Sequence, residues 1–153
     1  MKTNTVLYDD DFWAWTQHTA TLIRDGKWHA LDPDALAEEV ESLGKSTQRE
    51  LEHRWEVLVV HLLKWRVQPE KRIRGSSWLR TIVEQRRRLQ RLVSQSPSLR
   101  PLLPTVLAES YAYSRTRASL ETRLPLQTFP ATCPWTVAEI LADDFWPEAA
   151  PPP

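Results

Sequence analysis

The sequence predicts an all-α protein, an up-and-down bundle of four to five helices with a short C-terminal helix folding back. Apolar residues recur at intervals of three and four through most of the chain, as on helices with one buried face. Capping residues, prolines and glycines punctuate those runs at their ends. No stretch alternates apolar and polar residues as a half-buried strand would, and there is no internal repeat.

The first helix is expected from about Asp9 to Asp25, with Phe12, Trp15, Thr19, Leu22 and Ile23 inward. Asp9 is its expected N-cap, Tyr8 and Trp13 stand at staple positions, and Gly26 ends it. Trp13 lies about a quarter-turn off the inner stripe, so it is expected to be only half covered. A second helix opens with Asp32 as N-cap and Pro33 at N1. Leu31 and Leu36 are spaced as a staple, and Leu36, Val40 and Leu43 line one face. Gly44 is expected to end it. Thr47 and Glu50, at capping-box spacing, open a third helix to about Arg66, roughly 30 Å long. Leu51, Trp55, Leu58, Leu62 and Trp65 form its stripe, and Val57, Val59, Val60 and Leu63 widen it until the helix reads as central and buried.

Residues 67–75 read as a loop. A fourth helix runs from Ser76 or Ser77 to about Ser94, with Trp78, Ile82, Leu89 and Val93 inward. Ser96-Pro97-Ser98 is a turn. A fifth helix is expected from Leu99 to about Arg123, with Leu102, Val106, Tyr113 and Leu120 inward and Pro101 and Pro104 near its first turn. After an extended stretch to Pro134, Thr136 and Glu139 form a capping pair for a short last helix, with Trp135 and Ile140 as its staple. Residues 1–146 are expected to be a single helical domain, and 147–153 a disordered Pro/Ala tail.

At 153 residues the chain is long enough to bury a core unaided. Twenty Lys and Arg balance twenty Asp and Glu, which argues against a globally basic nucleic-acid binder. One cysteine, Cys133, rules out a disulfide framework and suits a reducing compartment. With no signal-like apolar stretch and no window approaching about 18 apolar residues, a cytoplasmic protein away from membranes is expected. Glycine-rich phosphate loops are absent.

Several motifs occur in a fixed order: Leu7-Tyr8-Asp9-Asp10-Asp11-Phe12, Glu38-Glu39-Val40-Glu41-Ser42-Leu43-Gly44, His61-Leu62-Leu63-Lys64-Trp65, Gln68-Pro69, Ser77-Trp78, Ser96-Pro97-Ser98-Leu99, Thr128-Phe129-Pro130 and Cys133-Pro134. Together they resemble the bacterial family called domain of unknown function 29, over about residues 7–148. The resemblance implies a small, helical, cytoplasmic bacterial protein and brings no activity or functional residues with it.

Metal chemistry has a thin basis. A di-metal bundle needs two Glu-x-x-His pairs, and only Glu50/His53 is present, on a face turned away from the stripe. His18, His29, His53 and His61 are scattered, and Cys133 has no identifiable base, so no metal and no cofactor are expected. Two other groupings stand out. Gln85 and Arg86 fall inside the apolar arc of the fourth helix, while Glu39 and His61 flank the stripes of the second and third. Arg86 paired with Glu39, joined by His61 and Gln85, would make either a small polar pocket or a register-fixing salt bridge. The second grouping is electrostatic. Residues 1–52 carry eleven acids and five bases, a net of −6; residues 53–91 carry eleven bases and three acids, a net of +8. Lys71, Arg72, Arg74, Arg87, Arg88 and Arg91, beside Trp65 and Trp78, form a basic surface that could hold a phosphate backbone. Alternatively, the acidic and basic parts neutralise each other within a chain or across a dimer.

These features favour a non-enzymatic protein-interaction module, self-associating or docking a protein partner. Nucleic-acid binding through the basic 64–91 surface is the alternative. A third reading is an enzyme or ligand binder using Glu39, His61 and Arg86, with no complete catalytic constellation visible.

Overall fold

The computed structural model describes residues 4–72 and 77–151. Among these residues there is no strand, and the chain is all-α. The α-helices are α1 (Asn4–Asp10), α2 (Phe12–Arg24), α3 (Pro33–Val67), α4 (Ser77–Gln95), α5 (Leu103–Thr122) and α6 (Val137–Leu141). Where the sequence reads one domain over 1–146, the fold groups into two compact units, Met1–Thr47 and Gln48–Pro153.

In the first unit the expected Asp9–Asp25 helix is two helices. The chain is already helical at Asn4, and Asp11 leaves helical geometry to cap α2, its carboxylate accepting from Ala14 N–H at 3.0 Å. Of the three consecutive aspartates, the cap is therefore the last, and Asp9 lies within α1. Trp13 consequently sits in the first turn of α2, off the staple position, and is 73% exposed. Tyr8, Phe12 and Trp15 form an aromatic cluster with ring centroids 4.9–6.1 Å apart. Among the described residues of this unit only Asn4, Trp15, Thr19, Leu22 and Ala35 are buried, while Phe12 and Ile23 are exposed.

Gly44 does not end a helix. α3 passes through it for 35 residues, about 52 Å. A Cβ at Gly44 would meet nothing within 4 Å. The helix cost of one glycine, about 1 kcal/mol against alanine, is small beside the good helix formers around it. Two interactions bridge the position: Lys45 reaches Glu41 at 3.9 Å, and the Thr47 hydroxyl donates to the Leu43 carbonyl at 3.2 Å instead of capping a new helix. Of the Leu36–Val40–Leu43 stripe, expected inward, Leu36 is half-buried, while Val40 is 60% and Leu43 70% exposed.

The second unit holds a continuous core. Leu51, Trp55, Leu58, Leu62 and Trp65 are buried as the periodicity predicts, joined by Val59, Val60 and Leu63. α4 adds Ile82, Leu89 and Val93. The inner face of α5 differs from expectation. Leu103, Val106, Leu107, Tyr111, Ser114, Ala118 and Thr122 are buried, whereas Leu102, Tyr113 and Leu120 are exposed. Residues Pro97–Leu102 form a 3-10 segment before α5, and past Tyr111 the face that meets the core carries only small or polar side chains, Ser114, Ala118 and Thr122. α6 begins as predicted: Thr136 accepts from Glu139 N–H at 3.2 Å while Glu139 accepts from Thr136 N–H at 2.7 Å. Residues 147–151, expected to be disordered, are held. Pro147 is buried and Ala150 N–H donates to the Arg66 carbonyl at 3.0 Å.

Candidate functional site

Arg86 points inward from α4, at the angle its neighbours Ile82, Leu89 and Val93 dictate, and is 1% exposed. A buried guanidinium needs acceptors. It finds them in main-chain carbonyls: Nε donates to Ile140 O at 2.8 Å and Nη2 to Phe145 O at 2.6 Å. Its planar group lies over Trp146, 5.2 Å from the ring centroid, and Nη1 is buried without a partner among the described residues. Burial pushes its pKa down, opposed by the nearby carboxylates of Asp143 and Asp144. Gln90, one turn further along α4, donates to Leu141 O at 2.8 Å and Asp143 Oδ1 at 3.0 Å. Arg72 completes the set, donating to Trp65 O at 2.6 Å and Pro147 O at 3.5 Å. Three polar side chains thus grip the main chain of residues 140–147.

This corrects the predicted partner of Arg86, which is a pair of carbonyls and not the Glu39 carboxylate. Glu39 accepts from the Tyr8 hydroxyl at 2.7 Å, and that hydrogen bond raises the Tyr8 pKa above its ordinary value. His61 donates Nδ1–H to the Val57 carbonyl at 2.7 Å one turn back, and burial lowers its pKa. Gln85 accepts from Arg54 at 3.3 Å. Each of the four candidates has a local partner of its own. Tyr111, buried with its hydroxyl on Pro130 O, is pushed up to about 12, and burial raises the Cys133 thiol. Neither gives a proton donor or nucleophile poised for neutral pH. Among the described residues no three His, Cys, Asp or Glu side chains are grouped to hold a metal ion.

The basic surface also divides. Arg72 is committed to the fold, Lys71 is exposed on the Pro69–Lys71 turn, and Arg74 lies outside the described residues. Lys64, in the same stretch, is buried against Glu121 at 2.8 Å and lies over Trp78. Arg87 and Arg88 share Glu84 and, with Arg91, are exposed. They line a cleft of about 280 Å³ together with Arg54, Glu50, Leu92 and Gln95. Beside them, Leu79 and Val83 are exposed on the outer face of α4 with Arg80. Sequence reasoning missed that pair and the exposure of Val40 and Leu43 on α3. Apolar spacing marks a face without saying what covers it.

The model of the family described as Domain of unknown function DUF29 matches residues 7–146. The chain belongs to that family. The DUF29 match opens inside α1, runs through all the later helices and closes on Trp146, the residue stacked on Arg86. No curated protein and no solved structure matches the chain. No described helix of this DUF29 protein is long and apolar enough to cross a membrane.

Proposed function

We propose that this DUF29 chain is a non-enzymatic protein-interaction module whose N-terminal unit docks a partner. The observation that carries the reading is the stripe of Leu36, Val40 and Leu43 on the first half of α3, half-buried at Leu36 and open at Val40 and Leu43. Such i, i+4, i+7 spacing is how one helix packs on another. The same unit exposes Trp13 and Trp28 and buries few side chains of its own. Exposed apolar surface on that scale marks interaction sites. Its acids select the partner: Met1–Thr47 carries nine acids and four bases, a net of −5, so a basic amphipathic helix fits best. A cytoplasmic setting accords with the free Cys133 thiol and the lack of a membrane-crossing helix among the described residues.

The test titrates the full chain with a designed Leu/Lys amphipathic helical peptide, and with a Leu/Glu peptide as control. The expected result is saturable binding of the basic peptide only, lost in Val40→Ser/Leu43→Ser. Equal binding to that double variant, or no binding, would refute the N-terminal docking surface.

A further inference from the structure

The docking face on α3 needs a basic helix with apolar residues on its outer side, and the chain itself carries one. On α4, Leu79 and Val83 are exposed one turn apart, with the exposed arginines Arg80, Arg87, Arg88 and Arg91 on the same helix. The residues Gln48–Pro153 hold sixteen bases and eleven acids, a net of +5 that balances the −5 of Met1–Thr47. We infer that the partner is a second copy of this chain, with the Leu36–Val40–Leu43 stripe of one copy seated on the Leu79–Val83 face of the other. This rests on the interaction-module reading and names its partner.

Three features support the pairing beyond net charge. Val40, Leu43, Leu79 and Val83 are all exposed on helices of the folded chain, so neither face must unfold to meet the other. Every copy carries one of each. Two such contacts between two copies would use both faces of each. Ala37 and Gly44 flank one side of the α3 stripe, and the space at Gly44 is open, so an approaching helix can come in close there. The helix cost of Gly44 acquires a purpose in such a contact.

Two charge-reversed chains test the pairing. Ala37→Lys/Ser46→Lys makes the α3 side basic, at exposed positions on either flank of the stripe. Arg80→Glu/Arg87→Glu makes the α4 side acidic, also at exposed positions. In solution mass measurements at low ionic strength, the natural chain is expected at twice its 17.8 kDa, with weaker association as salt rises. Each reversed chain alone sets like charges face to face and is expected as a monomer with an unchanged circular dichroism spectrum. Mixed in equal amounts, the two chains restore opposite charges at both contacts, so the double mass returns. A merely misfolded variant would not be rescued by a differently altered copy. Reversed chains that still dimerise alone, or a natural chain that is strictly monomeric at high micromolar concentration, would overturn the inference. Either result leaves the peptide titration to judge the docking surface separately. Should a reversed chain fail to fold, the neutral Arg80→Gln/Arg87→Gln variant gives the same reading: its dimer must dissociate severalfold more readily, and unchanged association overturns the pairing.

Discussion

The two units bury themselves by different means. Residues 48–151 enclose Leu51, Trp55, Leu58, Leu62 and Leu63 completely, and tie their last segment down with polar side chains from α4 and with Arg72. Residues 4–47 bury one tryptophan, Trp15, and leave another, Trp13, open along with Val40 and Leu43. Both segments are amphipathic, so amphipathicity alone does not say where a core is. What separates them is whether a second apolar face is supplied by the same unit.

The contrast can be broken most forcefully at Trp55. Trp55→Ala should lower stability by about 3–5 kcal/mol in urea unfolding, because a core with no exposure cannot collapse around the loss. Arg86→Ala comes next, at about 2–4 kcal/mol. It leaves the Ile140 and Phe145 carbonyls unsatisfied and opens a void beside Trp146, and Arg86→Met, which refills the void, should recover part of the loss. An urea midpoint for Arg86→Ala equal to that of the natural chain would mean the grip on residues 140–147 is dispensable.

Acid titration gives a smaller effect confined to the second unit. His61 has its folded pKa lowered by burial, so the stability it allows is full above the ordinary value of about 6.5 and declines as pH falls below it. Burial pushes Glu121 up, but hydrogen bonds from Lys64 and Arg117 outweigh it and hold the carboxyl below the usual range. Its contribution is present above about pH 4.3 and is lost as pH falls through the lower folded value. Thermal unfolding across this range should show both losses. His61→Gln should flatten the first and Glu121→Gln the second; unchanged profiles would remove these groups from the acid response. At the bottom of the scale, Arg87→Ala should change stability by less than about 0.5 kcal/mol, since its bond to Glu84 is exposed. Short oligonucleotides at low salt should show no saturable micromolar binding by filter retention, because Arg72 and Lys64 are held by the fold.

Much of this contrast was legible in the residues. The angular position of Arg86 among Ile82, Leu89 and Val93 placed it inside, and the Thr136/Glu139 spacing placed the start of α6. The partners of Arg86 were not legible, because a main-chain carbonyl has no side-chain signature. Gly44 read as a stop, since propensity cannot weigh one glycine against a long helix stabilised on both sides of it. The Leu36–Val40–Leu43 stripe read as core because periodicity reports a face and never its cover. The inner face of α5 was misplaced because Ser114 and Ala118, which mark it, carry little hydrophobic signal.

The grip of Arg86 has a bearing on how the chain emerges from the ribosome. Its carbonyl partners lie 54 and 59 residues further along, so they are synthesised well after α4. At the translation rates of about 5–20 residues per second, the guanidinium waits several seconds in water. An apolar residue at that position would spend the same interval as exposed apolar surface, whereas a guanidinium is hydrated until its acceptors arrive. The two carbonyl hydrogen bonds of Arg86 can form only once residues 140–145 have been made.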